Sequence, residues 1–235
     1  MASCKVCFQM RLRAVLLTVV LALLPVRALA QQTSAGFKAG TVFATWHGDG
    51  RNLITSSSGP DYTLGAMAGV SAVTHLSRAF SVQYELLYQR KGAMYRSTNN
   101  ERVGVKVDYL EIPALLRFSP TDSARSITPF AAVGPSLSAK LSCRVTGALI
   151  DRCDHNFWDL RINGFDFGFG AGGGADISLG RTIVALEARY TFGLSSVTGR
   201  EALSVRNGAL ALGIGLRFDA GNASATPRVP APFPR

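Results

Sequence analysis

The chain has 235 residues, 47% of them hydrophobic and 17% charged, with 24 glycines and a formal net charge of +10. This composition excludes a disordered polymer, and no uninterrupted apolar stretch reaches the roughly 18–20 residues of a membrane-spanning helix. What remains is an all-β protein, either soluble with its apolar residues inside, or a barrel whose apolar face meets lipid.

The first thirty residues read as an address. Lys5, Arg11 and Arg13 precede an apolar run from Ala14 to Leu24, and Ala28-Leu29-Ala30 follows Pro25. That order is a secretory signal peptide cut after Ala30. Its removal takes away Cys4 and Cys7. Cys143 and Cys153, left in a chain exported to an oxidising compartment, are expected to form one loop-closing disulfide. A metal reading would lean on His155 alone, so neither a metal site nor a cofactor is expected.

From Gly36 onward apolar residues recur at every second position, which means strands. Eight such segments run near 36–46, 62–73, 80–91, 104–118, 127–141, 164–178, 181–193 and 207–218. In the fourth, Leu110, Ile112, Ala114, Leu116 and Phe118 oppose Tyr109, Glu111, Pro113, Leu115 and Arg117. In the sixth, Phe165, Phe167, Phe169 and Ala171 oppose Asp166, Gly168, Gly170 and Gly172. In the seventh, Val184, Leu186, Ala188, Tyr190 and Phe192 oppose Glu187 and Arg189, and in the eighth Leu210, Leu212, Ile214, Leu216 and Phe218 oppose alanines, glycines and Arg217.

The second face carries too few charges for a water-exposed surface. Glycine, alanine and a few charges suit the crowded interior of a narrow barrel, and the Leu, Ile, Val and Phe band suits lipid. Trp46, Tyr62, Tyr88, Phe118, Tyr190, Phe192 and Phe218 are placed to form interface girdles. The gaps between segments alternate long and short, with the long ones at 47–61, 92–103, 142–163 and 194–206. The fold expected is therefore all-β: an eight-stranded antiparallel up-and-down transmembrane β-barrel with short periplasmic turns and long outer loops. Its domains would be a cleaved signal peptide at 1–30, the barrel at 31–218 and a Pro-rich disordered tail at 219–235.

Phe80-Ser-Val-Gln-Tyr-Glu-Leu-Leu-Tyr-Gln-Arg-Lys-Gly92, Val107-Asp-Tyr-Leu-Glu-Ile-Pro-Ala-Leu-Leu-Arg117, Pro129-Phe-Ala-Ala-Val-Gly-Pro-Ser-Leu137 and Leu186-Glu-Ala-Arg-Tyr-Thr-Phe-Gly-Leu194 together resemble the PorT-like outer-membrane β-barrel family. The resemblance implies an eight-stranded, porin-like barrel in a Gram-negative outer membrane, and no catalytic set. Fold likeness alone does not transfer a founding member's role in secretion.

Three features are site-like. Glu85, Glu111, Arg117, Asp166, Asp176, Glu187, Arg189 and Arg217 fall on the inward faces, where charges must pair, so they are expected to knit the lumen shut. Lys91, Arg96, Arg102 and Lys106 form a basic outer loop suited to lipopolysaccharide phosphates or an extracellular ligand. Gly168-Phe-Gly-Ala-Gly-Gly173 matches the dinucleotide motif G-x-G-x-x-G literally, but inside an alternating strand it serves packing rather than phosphate.

The function expected is a monomeric barrel with a closed polar lumen and a structural or surface-interaction role, in contact with outer-membrane lipid. It would not be an enzyme, and export excludes the nucleic-acid partner that a basic chain otherwise suggests. Three rivals make distinct demands. A narrow channel or small-ligand transporter needs a water path past Arg117 and Arg189. A membrane-barrel hydrolase needs His47 or His155 near a serine and a carboxylate, and a soluble ligand-binding barrel needs Phe165, Phe167 and Phe169 to point inward.

Overall fold

A computed structural model describes residues 33–49, 59–96, 102–120, 126–147, 153, 162–199 and 204–219. The expected signal peptide, all of the tail beyond Asp219, and His155 lie outside the described residues. Eight strands follow one another: β1 (Thr33–Gly48), β2 (Thr63–His75), β3 (Phe80–Arg96), β4 (Arg102–Phe118), β5 (Ile127–Thr146), β6 (Phe165–Leu179), β7 (Thr182–Gly193) and β8 (Val205–Asp219). Each pairs antiparallel with its neighbours, and β8 returns to pair with β1 from Ser34↔Asp219 to Gly48↔Val205, closing the ring. Closure satisfies every edge, which a sheet in lipid requires.

The two faces are inverted relative to a soluble barrel. Phe165, Phe167 and Phe169 point outward at 66%, 46% and 42% exposure, which rules out the soluble pocket. Ile112, Leu116, Leu186, Leu212, Ile214 and Leu216 share that outer surface, and the lumen receives Glu85, Glu111, Arg117, Arg189 and Arg217. The outward row of β4 from Leu110 to Phe118 rises about 27 Å along the strand. At a tilt of roughly 40° that covers most of the ~25 Å apolar band of such barrels. Phe80, Phe118 and Phe218 lie at one rim, the first two with ring centroids 5.4 Å apart. Tyr62 and the Tyr190–Phe192 pair, 4.4 Å apart, lie toward the other. Trp46 is not in a girdle. It shares the inward parity of Lys38, Val42 and Ala44, is buried, and donates through Nε1 to Asn207 Oδ1 at 2.9 Å.

The connections also depart from strict long-short alternation. β3 and β4 continue as a ribbon past the lipid band, with β5 paired alongside β4 up to Gly104↔Thr146, so the β3–β4 connection shrinks to 97–101, because residues expected in a loop keep pairing up to Arg96↔Arg102. At the opposite, short-turn end, Gly180 takes φ 66° in the tight β6–β7 hairpin, a conformation open to glycine.

Candidate functional site

The lumen is filled in layers. Nearest the short turns, Arg117 on β4 and Arg217 on β8 both donate to Asp176 Oδ2 on β6, each at 2.7 Å. The Arg117 guanidinium also lies 3.6 Å from the centroid of the Phe130 ring, a cation–π contact in a dry site. One layer up, Lys38 Nζ on β1 meets Glu85 Oε1 at 2.7 Å and Glu187 Oε2 at 2.9 Å. Arg189 Nη2 donates to Glu85 Oε2 at 2.7 Å, and Gln83 Nε2 donates to both Glu85 and Glu187. Above these, Lys91 pairs with Glu111, which also accepts from Ser138 Oγ at 3.3 Å. Asp166 then accepts from Asn207 Nδ2 and Ser195 Oγ, both at 2.7 Å.

All eight lumen residues expected from sequence therefore face inward, and all engage polar partners. Sequence reasoning missed two members. Lys38 shares the parity of Val42 and Ala44, and that alternation was the available signal. Lys91, expected in the basic outer loop, instead lies within β3 on the parity of Glu85 and is 1% exposed. With these two, Lys38, Lys91, Arg117, Arg189 and Arg217 stand against Glu85, Glu111, Asp166, Asp176 and Glu187, so the charges of this set balance. Such balance is what permits ionised groups in a low-dielectric interior.

The glycines of β6 provide the room. A Cβ at Gly170 would lie 3.2 Å from Arg189 Cδ, and one at Gly174 would lie 2.9 Å from Phe130 Cζ. The literal G-x-G-x-x-G run is thus interior β6 backbone, paired to β5 and β7, with no helix opening from it.

At the loop end an apolar cluster covers the polar layers. Trp46, Tyr95, Val103, Val105, Val107, Val145 and Val205 from the strands pack with Cys153, Ile162 and Val197 from the connections. Cys143 and Cys153 are disulfide-bonded, with Cα atoms 5.5 Å apart, which pins the β5–β6 connection onto this cluster. An Ile162↔Thr198 bridge joins that connection to the one between β7 and β8.

The remaining basic residues expected in the loop lie on the ribbon. Arg96 and Arg102 are exposed at its tip, and Lys106 is half-buried on β4, opposite Arg144 of β5. Among the described residues no hydrolytic triad assembles on His47, whose Nε2 lies 2.9 Å from the Tyr190 hydroxyl. Among the described residues no three His, Cys, Asp or Glu side chains converge as metal ligands would.

The sequence model of the family described as "Outer membrane protein beta-barrel domain" matches residues 29–199. Among solved structures, the outer membrane protein OprG from Pseudomonas aeruginosa gives a TM-score of 0.52 at 10% identity, over 82% of this chain and 98% of that one. Neisserial surface protein A gives 0.44 at 16% identity, over 79% and 97%, and AlkL in lipid bilayers gives 0.45 at 14% identity, over 84% and 93%. A comparison with curated protein sequences gives no match.

Proposed function

Because this chain belongs to the outer membrane protein beta-barrel domain family and resides in the bacterial outer membrane, we propose that it is a non-conducting barrel of PorT-like type with a structural and surface-interaction role. Its lumen is a brace rather than a path, and its contacts with lipid and extracellular partners are made from outside, as a monomer. No chemistry is assigned to it.

One observation carries the reading. Glu85 and Gln83 on β3 bond to Arg189 and Glu187 on β7, strands that face each other across a ring of eight. Bonds of 2.7–3.0 Å spanning the diameter support a lumen closed at that level, in keeping with the narrow interior of eight-stranded barrels. The buried Arg117 and Arg189, past which a channel would have to run, are both engaged with carboxylates.

The test is a planar-bilayer recording of the refolded protein. The wild type should show no steady conductance above the bare membrane. Glycine at Glu85, Glu187 and Arg189 together should raise it. Steady ohmic conductance of the wild type, abolished by filling substitutions at those positions, would overturn the closed-lumen reading in favour of the narrow channel.

A further inference from the structure

The outward faces of β3, β4 and β5 change character where the ribbon leaves the apolar band. Leu86 and Ile112 face outward below. Next comes a self-satisfied polar cluster: Arg90 Nε donates to Asp108 Oδ1 at 2.7 Å, and the Tyr88 hydroxyl and Ser142 Oγ each donate to Asp108 at 2.7 Å. A tyrosine anchored between apolar and polar surroundings marks the membrane–water boundary.

One pleat further out, about 7 Å along the strand, Lys106 stands directly opposite Arg144. Both carry the outward parity of Asp108 and Ser142. Like charges at directly opposed strand positions repel, and among the described residues neither side chain has a carboxylate partner. On the other side of Lys106 the β3 position is Gly92, at φ 139°, where a Cβ would strike the Val105 carbonyl oxygen. The absence of a side chain there leaves Lys106 open on that flank. The β4–β5 register slips between Asp108 and Tyr109, and the extra residue on β5, Leu141, projects outward at 57% exposure at the level of the Asp108 cluster, on the membrane side of the pair.

We propose that Lys106 and Arg144 form a seat for a phosphate of an outer-leaflet glycolipid. The arginine fork takes two phosphate oxygens while the lysine adds a compact point charge, and one shared anion converts a repulsive cross-strand pair into a bridged one. The source is a lipid rather than a free anion, because the seat lies one pleat above the Asp108 cluster that anchors the boundary tyrosine and has Leu141 below it to meet the acyl region. The inference rests on the surface-interaction reading above and names the partner of that surface.

The experiment uses the barrel refolded into phosphatidylcholine vesicles with increasing bis-phosphorylated lipid A, read as the temperature at which the compact gel species is lost. Lipid A should raise that temperature for the wild type and for R206Q, a neutralised cation on β8. In the K106Q/R144Q variant the lipid A needed should rise about tenfold or more, the scale of lost charge-assisted bonds. An equal response from K106Q/R144Q would overturn the proposal, as would an equal effect from lipid A stripped of its phosphates. Full replacement of the effect by soluble inorganic phosphate would overturn the lipid assignment. These outcomes leave the conductance result untouched, so the two readings fail separately.

Discussion

Arg189 and Glu85 are bonded at 2.7 Å from opposite walls of the barrel. Glu85 also receives Lys38 and Gln83, so removing this one carboxylate leaves two cations and an amide sharing Glu187 in a dry interior. Glu85→Ala is expected to cost about 3–5 kcal/mol, the range for breaking one side of a buried pair. Denaturant unfolding in detergent measures it, and a cycle with Arg189→Met should show coupling of about 1–3 kcal/mol. Additive single effects would mean that the two side chains do not share a dry site.

The glycine row of β6 yields a contrast between adjacent positions. Gly170→Val drives methyl groups into Arg189 and is expected to cost about 1–3 kcal/mol. Ala171→Val, one residue on and facing lipid, should be nearly neutral. Thermal loss of the compact species reads both, and equal effects would contradict the assigned faces.

Depth in the membrane gives a third expectation. Ile214 sits at the centre of the outward row of β8 and Phe218 at its rim. Ile214→Arg should destabilise by about 2–4 kcal/mol and Phe218→Arg by at most about 1 kcal/mol. A larger effect at Phe218 would shift the lipid band away from the position described.

The disulfide supplies a fourth. Cys143 and Cys153 are 10 residues apart in sequence, and a loop of that size is stabilised by roughly 3 kcal/mol on the chain-entropy account. Reduction, or Cys143→Ser with Cys153→Ser, is expected to open the β5–β6 connection to added protease while leaving the strands protected. Unchanged cleavage would show that packing on Trp46 and Tyr95 holds the connection without the covalent bond.

Strand number, order and facing are legible in the sequence, because a strand displays its two environments at alternate positions and lipid inverts their chemistry without altering the period. What could not be read was partnership. That Glu85 meets Arg189 rather than Arg117 depends on strand tilt and stagger, which local alternation does not encode. The errors share a different cause. Residue type suggests an interface aromatic at Trp46 and a loop cation at Lys91, where parity along β1 and β3 places both inside. Arg144 lay beyond the expected end of β5 at 141, so its position opposite Lys106 became visible only through the register.

The pairing of Ser34 with Asp219 joins the two ends of the described barrel. Until β8 is in place, β1 and β7 each present a row of unpaired backbone groups that hydrocarbon cannot solvate. A chain cut short before β8 therefore has no partially inserted resting state: assembly must hold both edges out of lipid until the last strand arrives and then commit the ring as a unit.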